Sequence, residues 1–167
     1  MKKYILSLFL LTGLFADNFT LENKLSITTG TYVKHISPND SEHSYEGFKN
    51  QYIDIRYRIS PSSKIVIGTL KNSQANRCLL LGLEHKWYDL GKKISFKGLY
   101  AYSGEFFFDA FDSCSNGGSY KDVKDKIGIG FVPYIYHGFE FELSKNISLD
   151  AGFLLPVVAV VGLRFNF

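Results

Sequence analysis

The stretch VVAVVGLRFNF, Val157 to Phe167, decides the fold that the sequence predicts. Every second residue in it is apolar, which gives a stripe of Val157, Ala159, Val161, Leu163, Phe165 and Phe167. The intervening positions become polar towards the end, at Arg164 and Asn166. A period of two is typical of a strand with one face towards an apolar medium. The pattern predicts the closing strand of a membrane β-barrel; the alternative is the edge strand of a soluble β-sandwich.

The start of the chain has the composition of a secretory signal peptide. Met1 is followed by two basic residues, Lys2 and Lys3, and residues 4–14 form an apolar region. Residues 13–16 then provide a cleavage site before Asp17. Such a segment is too short to span a bilayer as a helix, and no later stretch has the apolar length that a spanning helix needs. We therefore expect residues 1–16 to be removed and residues 17–167 to form a single barrel domain.

Aromatic residues favour the barrel over the sandwich. The chain has 15 Phe, 11 Tyr and 1 Trp, although its mean hydropathy is near zero. A small outer-membrane barrel places such residues in its lipid-facing band and in girdles at both interfaces. The net charge of +3 is not clustered, which excludes the basic patch that nucleic-acid binding requires.

Alternating segments predict eight strands and no substantial helix. We expect strands at 24–36, 52–59, 64–73, 77–88, 94–102, 126–135, 139–144 and 157–167, with a turn at 136–138 and the longest irregular stretch at 104–125. The connections after the second, fourth and sixth strands are tight, whereas those after the first, fifth and seventh are long. This alternation is typical of an all-β, eight-stranded antiparallel transmembrane β-barrel.

Charged residues on one strand face predict what fills the barrel. Asp54, Arg56 and Arg58 alternate with isoleucine and tyrosine, and Glu140 and Glu142 alternate with phenylalanine. These charges need water or partners, so we expect them to form a network in the lumen. A ligand cavity among them is the alternative.

Two cysteines occur in the chain, Cys78 and Cys114. In an exported protein an even pair favours a disulfide. Both positions fall on the extracellular side of the predicted topology, so we expect a structural bridge there. The histidines at 43, 85 and 137 lack the spacing of a metal site, and we expect neither a metal nor another cofactor.

Polar residues end two strands that run in the same direction. His35 ends the first strand, and Lys71, Asn72 and Ser73 end the third, which places them at one height on the outer rim. A histidine beside a serine hydroxyl is the minimal arrangement for activating an oxygen nucleophile or a substrate hydroxyl. The alternative is that these are ordinary polar residues at strand ends.

The segment 71–73 resembles the Lys-Asp-Ser motif of the outer-membrane lipid A palmitoyltransferases. Residues 31–35 resemble the segment of that family that ends in its catalytic histidine, and residues 81–84 and 164–167 are similar to later strands of the family. The resemblance implies an outer-membrane location and acyl transfer from phospholipid to lipid A. By position it makes His35, Asn72 and Ser73 the catalytic residues, with Asn72 in place of the family's aspartate. The alternative is a resemblance to a related family of small outer-membrane barrels that has Lys-Asn-Ser at this point.

Two functions follow as hypotheses. In the first, the barrel is a monomer that transfers an acyl chain between outer-leaflet lipids. His35 acts as general base or orients the acceptor hydroxyl, Ser73 holds the ester, and Asn72 donates a hydrogen bond to the developing oxyanion. Its acyl chain would lie in an apolar lumen lined by Gly68, Leu70, Leu80 and Gly82, although a bulge in the third or fourth strand would invert this assignment. In the second, the barrel is a non-catalytic surface protein whose loops contact a ligand, a phage or a host.

Overall fold

The computed structural model describes residues 24–36, 47–155 and 158–167. Within these residues, eight strands form a closed barrel in which each strand pairs antiparallel with the next and the last pairs with the first. The strands are β1 (Leu25–His35), β2 (Ile53–Arg58), β3 (Ser63–Lys71), β4 (Arg77–Asp89), β5 (Ile94–Gly104), β6 (Phe131–Glu142), β7 (Ile147–Leu154) and β8 (Val158–Asn166). The predicted fold is confirmed. The predicted signal peptide at 1–16 lies outside the described residues.

The period of two in the sequence becomes an inner and an outer face. In β8, Gly162 and Arg164 are buried inside the barrel, whereas Val161 and Leu163 are exposed on its outer surface. Exposed aromatic side chains lie towards both ends of this outer surface: Tyr32, Phe48, Tyr102 and Phe153 at one end, and Trp87, Tyr88, Phe139 and Phe167 at the other. An apolar band between two aromatic girdles suits the hydrocarbon core of a bilayer.

The two ends of the barrel differ in the length of their connections. At one end, here the turn end, the links are 59–62, 90–93 and 143–146. At the other, the loop end, they are 36–52, 72–76, 105–130 and 155–157. The predicted tight turns after β2 and β4 are present. The predicted long connection before β8 is wrong, because residues 155–157 join β7 to β8 directly.

The predicted boundaries of the sixth and seventh strands are wrong. Residues 131–142 form one strand, β6, and the predicted turn at 136–138 lies in its middle. Gly138 suggested a turn, but in the barrel its missing side chain leaves room for the ring of Tyr136. The true seventh strand, β7, was missed because Asp150 and Gly152 interrupt its apolar pattern. The total of eight strands is correct only because these two errors compensate.

The two long connections contain helical segments. The 3₁₀ helix η1 (Phe48–Asn50) lies between β1 and β2. The 3₁₀ helix η2 (Asp109–Ser115) and the α-helix α1 (Gly118–Ile127) lie between β5 and β6. None of the described helices has the length and apolar content needed to cross a membrane. The prediction that 104–125 is irregular is therefore wrong. The helix was missed although its apolar residues Tyr120, Val123 and Ile127 recur at helical spacing.

The lumen has two layers of different chemistry. Towards the loop end the buried side chains are apolar or aromatic: Tyr52, Val66, Leu70, Leu80, Leu99, Ala101, Tyr134, Tyr136 and Val160. Towards the turn end they are charged: Asp54, Arg56, Lys64, Glu84, Lys97, Glu140, Asp150 and Arg164. Strands β2 to β8 contribute alternate residues to these layers, because closure of the sheet directs one face of each strand inward. The buried residues of β1 are the hydroxyl residues Ser26, Thr28 and Thr31.

Candidate functional site

His35 and Ser73 meet at the loop end of the barrel. His35 is the last residue of β1, and Ser73 follows β3 by two positions. The two strands run in the same direction, so residues 38 positions apart in sequence come together. Ser73 Oγ lies 3.4 Å from His35 Nε2, and both side chains are half-buried. The structure thus brings together the two residues that the sequence placed at one height, while their catalytic role stays a prediction.

Asn72 lies beside this pair but is engaged in holding the chain. Its Oδ1 accepts hydrogen bonds from the backbone N–H groups of Gln74 and Asn76, both at 3.0 Å. Its Nδ2 donates to the carbonyl of Cys114 at 3.1 Å. An aspartate has no N–H to offer that carbonyl. The structure therefore gives the asparagine a positioning task, and its role as an oxyanion donor stays a prediction.

The predicted disulfide between Cys78 and Cys114 is confirmed. The two Cα atoms are 5.0 Å apart, and both residues are fully buried. Cys78 is the second residue of β4, and Cys114 is in η2. The bond therefore fixes the connection 105–130 beside the turn that carries Ser73.

Helix α1 is held over the loop end of the lumen. Tyr120 Oη donates to Oγ of Ser103, an inward residue of β5, at 3.0 Å. Burial raises the pKa of Tyr120, so its hydroxyl keeps the proton that this hydrogen bond requires. The side chain of Gln74 packs beneath Gly117 and Gly118 at the start of the helix. The connection 105–130 therefore covers the barrel mouth next to His35 and Ser73.

The four predicted lumen residues lie on the inner face, as expected. Leu70 and Leu80 are buried in the apolar layer. Gly68 and Gly82 give up their side-chain space to neighbouring strands: a Cβ on Gly68 would lie 2.7 Å from Asp54 Cβ, and one on Gly82 would meet Ala101. The glycines thus permit close strand packing and do not open a cavity.

The lumen between the described residues is filled rather than open. The cavity at the base of its apolar layer measures about 20 Å³ and is lined by Thr28, Thr31, Tyr52, Arg56, Leu99, Tyr134, Tyr136, Asp150, Val160 and Gly162. That volume suits a single water molecule. This cavity is too small to hold an acyl chain.

A buried charge network occupies the turn-end layer. Arg164, which is fully buried, donates to both carboxylate oxygens of Glu84 at 3.0 and 2.7 Å, to Glu140 at 2.8 Å and to Asp150 at 2.7 Å. Lys97 donates to Asp150 at 2.5 Å and to Glu140 at 3.1 Å. Opposite charges and hydrogen bonds together compensate for the loss of water around these groups.

Only part of this network was predicted. Asp54, Arg56 and Glu140 are in it, but Arg58 and Glu142 are exposed at the turn end. Sequence reasoning missed five members of the network: Lys64, Glu84, Lys97, Asp150 and Arg164. The available signal was that each of these five lies at an inward position of its own strand.

The remaining histidines differ from one another. His85 Nδ1 lies 3.0 Å from Ser63 Oγ on the outer surface. His137 is within β6, not in a turn, and its Nε2 lies 2.6 Å from Tyr100 Oη. His43 lies outside the described residues. Among the described residues, no three His, Cys, Asp or Glu side chains are grouped so that they could hold a metal ion.

A groove interrupts the barrel wall between β1 and β2. Within β1, only Leu25 to Thr28 pair with β2. Further along β1, Val33 exchanges backbone hydrogen bonds with Gly47, which precedes η1. Gly30, with φ of +62°, lies in a bulge of β1 at this point. The groove measures about 430 Å³ and is lined by Thr29, Gly30, Thr31, Phe48, Asn50, Gln51, Tyr52, Ile53 and Arg77.

The comparisons with known proteins define a class and no more. No protein-family model matches the chain, and neither does any curated protein. A de novo designed transmembrane β-barrel matches 87% of this chain and 97% of its own, with 11% identity and a TM-score of 0.56. The chain thus has the fold of a small transmembrane β-barrel.

Two natural proteins also align, a β-barrel domain and an outer-membrane protein. The N-terminal barrel domain of Pseudomonas aeruginosa OprF has 13% identity and a TM-score of 0.44, with 87% of this chain and 98% of that chain covered. Yersinia pestis Ail has the same identity and TM-score, with 87% and 100% covered. At these identities the comparisons concern the fold alone.

Proposed function

We propose that this protein is a monomeric outer-membrane barrel that transfers an acyl chain between lipids of the outer leaflet, from phospholipid to lipid A. The observation that carries the proposal is the contact between His35 Nε2 and Ser73 Oγ at 3.4 Å. The resemblance of residues 31–35 and 71–73 to the palmitoyltransferase segments supports it. The resemblance of residues 1–16 to a signal peptide favours the outer membrane. The longer connections at the loop end favour its orientation towards the outside of the cell.

In the proposed reaction His35 is the general base. Its Nε2 takes the proton from an acceptor hydroxyl of lipid A as that oxygen attacks the ester carbonyl of the phospholipid. Ser73 holds the ester next to the same nitrogen. The C–O bond to the glycerol breaks when the tetrahedral intermediate collapses, and the leaving alkoxide recovers the proton from His35. Transfer thus consumes no water and leaves His35 neutral for the next turnover.

The acyl chain would lie against the barrel wall rather than inside it. The lumen beneath the site holds a cavity of only about 20 Å³, whereas the groove between β1 and β2 measures about 430 Å³. Phe48 and Ile53 in the groove offer apolar contact, and Arg77 offers a positive charge for a phosphate. The substrate would therefore reach the His35–Ser73 pair sideways from the leaflet.

A non-catalytic surface function is the second candidate, and one observation favours it. Asn72 accepts two hydrogen bonds from backbone N–H groups and donates one to the carbonyl of Cys114. Together with the disulfide, it fixes the connection 105–130 at the loop end. Rigid fixation of a loop suits recognition of a partner as well as it suits catalysis.

The experiment compares lipid A from cells with and without the protein by mass spectrometry. We expect a mass increase of one acyl chain that disappears in His35→Ala, because loss of a general base slows a reaction roughly 10²–10⁴-fold. Ser73→Ala tests the ester-holding role. His85→Ala is the matched control, since His85 is also paired with a serine but lies on the outer surface away from the loop end. Unchanged lipid A in cells that contain abundant, heat-modifiable barrel would favour the non-catalytic function.

A further inference from the structure

Three consecutive phenylalanines begin the connection between β5 and β6. Phe107 is 96% exposed, the largest value for any large apolar side chain among the described residues, and Phe108 is 57% exposed. The connection belongs to the loop end, where water-facing residues are expected to be polar. Two neighbouring aromatic rings in this position need a partner outside the chain.

The first ring of the run already lies on the lipid-facing surface. Phe106 stacks on Phe131 of β6, with ring centroids 4.9 Å apart and planes 1° apart. Phe131 in turn packs edge-on against Tyr102 of β5, at 5.4 Å. Tyr102 and Phe131 belong to the outer face of their strands, so Phe106 extends the apolar belt into the loop.

The backbone of the run is held in an unusual conformation. Phe106 and Phe107 have φ values of +47° and +63°, in the left-handed region that bulky residues rarely adopt. The amide of Phe108 closes a turn onto the carbonyl of Glu105 at 3.0 Å, and the amide of Glu105 bonds to the carbonyl of Gly130 at 2.9 Å. Strained residues persist where the surroundings fix them, and they cluster at sites of contact.

The charge that precedes the run is compensated within the protein. Glu105 accepts a hydrogen bond from Lys124 of α1 at 2.9 Å. The carboxylate before Phe106 is therefore paired, whereas Asp109, which follows Phe108, is exposed at the start of η2. The pair also links the aromatic run to the helix that lies over the barrel mouth.

We propose that Phe107 and Phe108 insert into the hydrocarbon of the outer leaflet beside β5 and β6. The occupant of this apolar surface is the bilayer itself, because the surface continues the lipid-facing belt through Phe106 and Phe131. The connection 105–130 is then fixed on two sides, in the leaflet by Phe107 and at the turn next to Ser73 by the Cys78–Cys114 disulfide. This inference does not depend on the chain being an acyltransferase.

The test uses tryptophan fluorescence of the full barrel in phosphatidylcholine vesicles, with and without bromine on the acyl chains. Trp87, the only tryptophan of the chain, is 47% exposed on the outer surface and is first replaced by phenylalanine. Phe107→Trp and Phe108→Trp are then made separately in that background. Asp112→Trp is the matched control, because Asp112 is an exposed residue of η2 in the same connection. Heat-modifiable migration on a gel verifies that each variant is folded.

We expect the indoles at positions 107 and 108 to emit at shorter wavelength than the one at position 112. We also expect brominated chains to quench them several-fold more strongly. An indole at 107 that emits as in water and is no more quenched than the control would overturn the proposal. A blue shift that appears only at high protein-to-lipid ratio, without quenching, would assign the surface to a second copy of the chain and would also overturn it. Measurement at 108 decides the matter if the variant at 107 does not fold.

Discussion

Replacement of Arg164 by methionine tests whether the charge network, rather than apolar packing, sets the stability of the turn-end half of the barrel. The network contains four carboxylates and four cations, so it is neutral as a whole. Arg164 supplies four charge-assisted hydrogen bonds to three of those carboxylates, and it is fully buried. Methionine has a similar volume, so the change removes the charge and its bonds with little loss of packing.

The expected magnitude follows from what remains. Without Arg164, one negative charge in the layer is uncompensated, and Glu84 keeps only Arg56, Lys97 and the more distant Lys64 as partners. Removal of one member of a buried ion pair costs about 3–5 kcal/mol. With a urea dependence of about 2 kcal/mol per molar, the unfolding midpoint falls by about 2 M.

The assay is urea unfolding of the barrel in phosphatidylcholine vesicles, followed by Trp87 emission. Glu84→Gln combined with Arg164→Met restores neutrality, so we expect the double variant to be at least about 1 kcal/mol more stable than Arg164→Met alone. Arg58→Met is the control, because Arg58 is an exposed arginine of β2, and we expect it to change the free energy of unfolding by less than about 0.5 kcal/mol. A midpoint for Arg164→Met equal to that of the control, or strictly additive losses in the double variant, would refute the reasoning.

Two further predictions concern the loop end. Cys78→Ser with Cys114→Ser, or reduction of the bond, should lower the free energy of unfolding by ~3–4 kcal/mol, since the bridge closes a loop with a sequence separation of 36. In unreduced protein neither cysteine should react with a thiol reagent, and two reactive thiols would contradict the assignment. Asn72→Asp should destabilise the barrel by about 1–3 kcal/mol, because a carboxylate oxygen would face the carbonyl of Cys114. The same variant should not increase acyl transfer in the lipid A assay; a gain in activity would show that position 72 acts in catalysis.

Much of the fold was determined by local pattern. The alternation in 157–167 and in 52–59 specifies which residues face lipid, because successive side chains of a strand point to opposite sides. The disulfide was also predictable, because the chain has only two cysteines and they can pair in only one way. His35 and Ser73 could be placed at one height by counting strand directions, without any knowledge of the contact between them.

Tertiary structure decided what the pattern left open. Gly138 has the sequence character of a turn, yet it is in the middle of β6 because Tyr136 needs the space of its missing side chain. Asn72 stands where the resembling motif has an aspartate, yet its Nδ2 bonds to the carbonyl of Cys114, which is 42 residues away. Glu84 and Arg164 are separated by 80 residues and meet only when the sheet closes. The alternation of residues along a strand determines which face of the sheet each residue occupies. The register between strands decides which residues share a layer of the lumen. That register becomes fixed only when all eight strands are in place.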